Sequence, residues 1–255
     1  NTYTLKTSET AILFIERGYA ILKNRGYQAY IIPKSFTFAS NYRAARSLLI
    51  DDLQCLVDCG KAFENVKLET CVFTVQKNMP RDDYLSLVYE KDKSFSMLKN
   101  IEKSLVSKFG FIPNGLDSPE IDLGNRIFDS SIMLGDISRN KRGEILQKHL
   151  VDANGHKVIG GKEIDRYGIK NIKGYLMDPA LITEKATIKK GSILAQNIVA
   201  HITRPYDHIK IISCIPGQSK LDWLIVDTIN QISLTDDNYS LEFIWSVFSS
   251  KLINW

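Results

Sequence analysis

The chain has 255 residues, 44% of them hydrophobic and 24% charged, which excludes disordered and fibrous classes and leaves room for two cores at roughly 100 to 200 residues per domain. Lys and Arg outnumber Asp and Glu by 33 − 29 = 4, a mild basic excess that permits an anionic partner without requiring one. No apolar run approaches the roughly 18 to 20 residues of a membrane span, and "NTYTLKTSET" lacks a secretory pattern, so a cytoplasmic protein without a membrane partner is expected.

Ser8 to about Asn24 reads as an amphipathic helix, with Ile12, Ile15, Tyr19 and Leu22 at spacings of three and four. Ser8 and Glu9 suit its start, Lys23 and Arg25 its negative end, and Gly26 a left-handed stop. In "YQAYIIPKSF", Ala29 to Ile32 reads as a buried strand that Pro33 closes, because proline has no N–H to offer a ladder. The next residues then form a loop at the end of a buried parallel strand, where α/β proteins keep their sites. A second helix is predicted from about Asn41 to Leu49, followed by strands in "LQCLVDCG" and "ETCVFTVQK". That order is the tail of a mostly parallel sheet whose last strand turns back, and no G-x-G-x-x-G or P-loop accompanies it.

From Asn78 to about Pro119, "NMPRDDY" and "FIPNGLDSPE" are turn-rich clusters around "SMLKNIEKSLVSKF", which reads as a linker helix. Beyond this boundary the chain changes to short strands. "IMLGDI" is strand-like, "LVDANGHKVIGG" predicts a hairpin on an Asn154-Gly155 type I′ turn, and "SILAQNIVAHI" an apolar strand. The closing "SLEFIWSVFSSKLINW" returns to helical spacing. The four cysteines, Cys55, Cys59, Cys71 and Cys214, lack zinc-site spacing and read as buried small hydrophobes without a disulfide framework; no metal is expected.

The segment "FIERGYAILKNRGYQAYIIPKSF…YRAARSLLID…CLVDCGKAFENVKLETCVFTVQK" resembles the second half of the catalytic domain of TaqI-type N6-adenine DNA methyltransferases. "LGDISRNKRGEI", "VIGGKEIDRYGI", "ILAQNIVAHI" and "FSSKLINW" resemble the target-recognition domain that follows in that family. The resemblance covers nearly the whole chain and rests on the order of loose motifs. It implies an α/β plus β-rich fold: an incomplete Rossmann-like methyltransferase core over residues 1–85, a linker with a short helix over 86–118, and an α+β recognition domain over 119–255. It also implies a parent enzyme of a restriction-modification system that moves a methyl group from S-adenosylmethionine to an adenine flipped out of the duplex. In that family an Asn/Asp-Pro-Pro-aromatic motif holds the amine and a Gly-containing turn holds the cofactor. Neither occurs here, since the seven prolines stand singly. No catalytic or cofactor-binding residue is therefore expected in this chain, which begins with Asn and reads as a piece whose N-terminal catalytic half lies elsewhere. Such a parent also carries a nuclease in its larger members.

By the resemblance, Phe63 in "GKAFENVKLET" matches the aromatic that packs on the flipped base; a core filler between two strands is the open alternative. "PKSF" is either the far wall of the base pocket, with Ser35 and Phe36 near the target strand, or a strand terminator with Phe36 in the core. From Arg139 to Lys173, nine basic residues face four acidic ones, a surface for duplex DNA phosphates or a solvated face. "SRNKR" offers Arg139, Asn140, Lys141 and Arg142 within one loop for base edges and phosphates, and Lys162 and Arg166 join them as DNA-binding candidates. Gln196, Asn197 and His201 either read bases or satisfy neighbouring backbone. A stand-alone specificity subunit docking on a separate methyltransferase is the rival function. The strand before Pro33 is expected at a sheet edge, where self-association is the hazard.

Overall fold

A computed structural model describes residues 9–63, 68–90, 92–197, 200–202, 208–251 and 253. The chain divides into two compact units, Asn1–Ser131 and Ile132–Trp255.

The first unit runs α1 (Thr10–Ile21), β1 (Tyr27–Pro33), α2 (Arg43–Leu49), β2 (Leu53–Gly60), β3 (Thr70–Gln76), β4 (Asp83–Tyr89), β5 (Phe95–Glu102), α3 (Ser104–Phe109) and α4 (Ser118–Ser130). The predicted first helix is present, with Ile12 and Ile15 buried. Its expected N-cap Ser8 lies outside the described residues. The left-handed residue after it is Arg25, φ 63°, one position before the glycine expected to take that role. Lys77 closes this helix end instead, its Nζ donating to the carbonyls of Tyr19, Ala20 and Leu22 at 2.9, 3.2 and 3.0 Å.

The sheet has the order β1-β3-β2-β4-β5, and only β2 and β4 pair in parallel. The expected mostly parallel sheet is thus mixed and largely antiparallel. Its cause is the short connection from β2 to β3, too short for a crossover, which returns β3 antiparallel between β1 and β2. Strand β1 is at the edge, as expected, and lies antiparallel to β3 with Pro33 opposite Thr70. One face of the sheet buries Ile32, Leu56, Phe73 and Val75 against Ile12 and Ile15 of α1 and Ala45 and Leu49 of α2.

Residues 86–118 are not a linker between units but part of this first one. "SMLKNIEKSL" is the body of β5 followed by the first turn of α3, and β5 pairs antiparallel with β4. Buried Tyr84 of β4 donates its hydroxyl to the Pro113 carbonyl, which ties the turn-rich segment down. Helix α4 follows, begun by a reciprocal capping box: Asp117 Oδ1 accepts from the Glu120 N–H and Glu120 Oε2 from the Asp117 N–H, both at 2.9 Å.

The second unit runs α5 (Leu134–Ile137), β6 (Ser138–Arg142), β7 (Leu150–Val151), β8 (His156–Ile159), β9 (Ile164–Asp165), β10 (Gly168–Ile169), β11 (Gly174–Leu176), β12 (Ser192–Gln196), β13 (Ala200–Ile202), β14 (His208–Lys210), β15 (Ser213–Cys214), β16 (Leu224–Ile225), β17 (Ile229–Leu234) and α6 (Leu241–Ser249). Two four-stranded sheets, β15-β12-β17-β6 and β16-β8-β11-β7, are accompanied by the ribbons β9–β10 and β13–β14. "IMLGDI" is helical at α5 rather than a strand. The predicted hairpin is also absent: the turn is present, with Asn154 at φ 67° and Gly155 at φ 123°, but β11 lies between the two arms and pairs with both. The α6 helix supports the first of these sheets, burying Ile244 and Phe248 in one cluster with Ile193 and Ile232.

Candidate nucleic-acid interface

The register of the first sheet brings the ends of β1 and β2 and the start of β3 together, since Thr70 faces Pro33 on one side and Gly60 on the other. The turns "KSFT" and "GKAF" therefore leave the same end of the sheet. Lys34 locks them together. Its Nζ lies 2.5 Å from Asp58 Oδ2 and 3.6 Å from Glu69 Oε2, and its N–H donates to the Glu69 carbonyl at 2.9 Å. Burial opposes the lysine charge, but the hydrogen bond and charge of Asp58, aided by Glu69, hold its pKa above the ordinary lysine value.

Phe36 fills the core. It is 1% exposed, stacked on Phe73 with centroids 5.2 Å apart and edge-on to Tyr42 at 5.8 Å. The turn carrying it is fastened by buried Arg46, whose Nη1 donates to the carbonyls of Phe36 and Ala39, both at 2.8 Å. Of the two readings left open for "PKSF", the structure has the strand terminator with a core phenylalanine, because Phe73 and Tyr42 enclose the ring. Ser35 is half-buried in the same 3₁₀ turn. The aromatic exposed at this sheet end is Phe38, which sequence reasoning missed: two phenylalanines two positions apart carry no signal of which one a turn will bury. Phe63 is also exposed, just before residues 64–67, which are outside the description.

"SRNKR" is strand β6, not a loop, an edge strand paired only with β17 among the described residues. The four residues from Arg139 to Arg142 are all exposed. Strand alternation sends Arg139 and Lys141 to one face and Asn140 and Arg142 to the other. Lys141 and Arg142 are held. Glu184 Oε1 sits 2.8 Å from both Lys141 Nζ and Lys189 Nζ, and these lysines hold its carboxyl at about 2, well below the ordinary value. Arg142 Nη2 lies 3.2 Å from Asp227 Oδ2, and its Nε donates to the Asp227 carbonyl. These pairs flank a groove of about 510 Å³ that Asn140, Glu144 and Lys185 also line. Arg139 and Asn140 have no side-chain hydrogen bond or ion pair among the described residues, so their donors are available.

Lys162 is exposed in the turn before β9, and Arg166 is exposed just after that strand. Gln196 and Asn197 satisfy neighbours: Gln196 Nε2 donates to the Gly161 carbonyl at 2.6 Å and Asn197 Oδ1 accepts from Asn230 Nδ2 at 3.1 Å. The side chain of His201 lies outside the described residues. All four cysteines are free thiols. Cys71 and Cys214 are buried as expected, whereas Cys55 and Cys59 are only half-buried.

Residues 1–63 match the sequence profile of the family described as Eco57I restriction-modification methylase. The part of the chain that resembles a restriction-modification methyltransferase by its motifs thus carries such a family's signature. No curated protein matches. Among solved structures, the chain is similar to the type IIG restriction endonuclease BpuSI at 11% identity, covering 97% of this chain and 39% of that one with a TM-score of 0.40. It is similar to DrdV from a DrdV–DNA complex at 8% identity, covering 87% and 31% with a TM-score of 0.40. A chain of a type I restriction-modification system aligns at 16% identity over 48% of this chain and 24% of that one, with a TM-score of 0.29. The chain therefore spans well under half the length of these proteins.

Proposed function

We propose that this chain recognises DNA sequence on behalf of an N6-adenine DNA methyltransferase of a restriction-modification system. The observation that carries this reading is the match of residues 1–63 to a restriction-modification methylase family, over the α1, β1, α2, β2 segment that ends at Phe63. On this reading the first unit is the tail of a catalytic domain, and the second unit presents Arg139, Asn140, Lys141 and Arg142 on an edge strand to duplex DNA. Arg139 and Asn140 are the base readers, since a guanidinium forks onto guanine and an Asn amide pairs with adenine. Lys141, Arg142, Lys162 and Arg166 neutralise phosphates. In the parent protein Phe63 and Ser35, on turns that leave the same end of the sheet, flank the flipped adenine.

S-adenosylmethionine supplies the methyl group in the parent protein. No residue of this chain is assigned to that cofactor: the end of β1 is filled by Phe36 and closed by the Lys34–Asp58 pair. On this reading the partners are duplex DNA and the N-terminal catalytic half of the parent protein, whose strand would cover the open edge of β1. Without that half, the edge is a route to self-association.

The test is binding of the 255-residue chain to random-sequence duplex DNA across a salt series, with S-adenosylmethionine titrated separately. A linear fall of log affinity with log salt, about 0.9 in slope per phosphate contacted, is expected without cofactor binding. Salt-insensitive or absent DNA binding would overturn the reading.

A further inference from the structure

The β9–β10 ribbon turns through Arg166 and Tyr167, between the paired residues Asp165 and Gly168. Neither tip residue needs a left-handed backbone, because Gly168 takes the positive φ of 137°. The ribbon is rooted firmly. Ile164 is 1% exposed in a core cluster that Ile169 packs against, Lys170 Nζ is 2.9 Å from Asp165 Oδ2, and the Lys170 N–H donates to the Glu163 carbonyl at 2.9 Å. Yet its tip presents Tyr167 at 87% exposure, the most exposed large hydrophobic side chain among the described residues. A rigid turn that holds an aromatic ring in water has no use for it in folding. The Arg166 guanidinium carbon lies 5.9 Å from the Tyr167 ring centroid, and Arg166 Nη2 is braced on the Ser249 carbonyl at 3.1 Å.

Behind the tip is a cavity of about 40 Å³ lined by Arg166, Lys210, Ser213, Ser249 and Asp165. Such a volume admits about three water-sized groups, each needing some 10 to 15 Å³. Ser213 Oγ is buried and has no hydrogen-bond partner among the described residues, so it calls for a polar visitor. The one carboxylate in the lining, Asp165, is already paired with Lys170, which leaves Arg166 and Lys210 to set the sign.

We propose that the Arg166–Tyr167 tip engages a nucleotide of the duplex: the Tyr167 ring stacks against a base step, while Arg166, Lys210 and the Ser213 hydroxyl seat oxygens of the adjoining phosphate. An aromatic wedge beside a cationic phosphate seat is the combination that unstacked DNA requires. The assignment rests on the proposed DNA-binding function, and it adds a residue that the basic-residue count cannot detect.

The experiment compares the full chain with Tyr167→Ala, Tyr167→Phe and Arg166→Gln, using random-sequence duplex and a duplex with 2-aminopurine in place of adenine. Tyr167→Ala should weaken binding about 5- to 150-fold with the salt slope unchanged, Tyr167→Phe should retain affinity, and Arg166→Gln should reduce the slope by about 0.9. The 2-aminopurine fluorescence rise on binding should vanish in Tyr167→Ala alone. Wild-type affinity in Tyr167→Ala would overturn the tip assignment while leaving DNA binding intact. Weaker binding with an unchanged 2-aminopurine signal would overturn stacking. Failure of the unaltered chain to bind any duplex would overturn both readings, and since Tyr167 is exposed, melting temperatures should match throughout.

Discussion

Arg46 is a buried cation whose role is structural: it satisfies two carbonyls of the turn that follows β1. Arg46→Met keeps the volume but leaves the Phe36 and Ala39 oxygens without that donor, and should cost about 3 kcal/mol in urea unfolding. An unchanged midpoint at constant m would show that water replaces the guanidinium. The buried thiols make a pH prediction. Burial pushes Cys71 and Cys214 up to about 12 from an ordinary 9.0, with the Asp58 charge adding to the shift at Cys71 and that of Asp165 at Cys214. A raised thiol pKa means that the unfolded chain loses these protons first as pH rises. The associated stability is therefore complete below pH 9 and declines between 9 and 12. Brief alkylation of the native chain at pH 8 should modify Cys55 and Cys59 while sparing Cys71 and Cys214, as peptide mass spectrometry would read. Equal labelling of all four would contradict the packing.

The insertion of β11 between β7 and β8 depends on the absence of a side chain at Gly155. A Cβ there would lie 2.3 Å from the Leu176 carbonyl oxygen of β11, and the backbone is at φ +123° besides. Gly155→Ala should destabilise the second unit by about 2 kcal/mol or more, whereas a free hairpin would barely respond. Thermal melting separates the two. The same ribbon shows where the sequence is legible. Asn154-Gly155 announces a turn because left-handed backbone is a local property, but the identity of the strands pairing across it is not. The β3 strand, placed between β1 and β2, repeats the lesson: helix α1 and the break at Pro33 follow from local pattern, while pairing direction does not. The run Ala29 to Ile32, read as buried, has Ala29 and Ile31 exposed because β1 is an edge strand. The β5–α3 segment misleads differently, since Leu98, Ile101 and Leu105 have helical spacing even though Ile101 is in the strand and Leu105 in the helix. Helix α4 had a readable signal in "DSPE", the capping box preceding an amphipathic run. At the candidate site, the charges of "SRNKR" are legible in the sequence and their strand geometry is not, while nothing local in "IDRYGI" tells that Tyr167 stands exposed at a ribbon tip.

At the scale of the whole chain, the two units carry separate buried clusters, one in Asn1–Ser131 and three in Ile132–Trp255. Independent cores predict independent cooperative transitions, so urea unfolding followed by near-ultraviolet and far-ultraviolet signals should resolve two steps rather than one. The proposed division of labour then has a thermodynamic signature. A ligand that binds only folded protein stabilises it by RT ln(1 + [L]/Kd), about 2.7 kcal/mol at a hundredfold excess over Kd. Duplex DNA at that excess should move the step belonging to the second unit by about that amount and leave the other step in place. All three Trp residues of the chain, at 223, 245 and 255, lie in the second unit, so tryptophan fluorescence reports that step directly. The first unit is followed by elimination in the far ultraviolet. Movement of both steps together would mean that DNA is held by both units, with Phe63 and its sheet end contributing binding energy even without a catalytic half. Movement of the first step alone would relocate recognition to the methylase-like segment and remove the edge strand β6 from the interface.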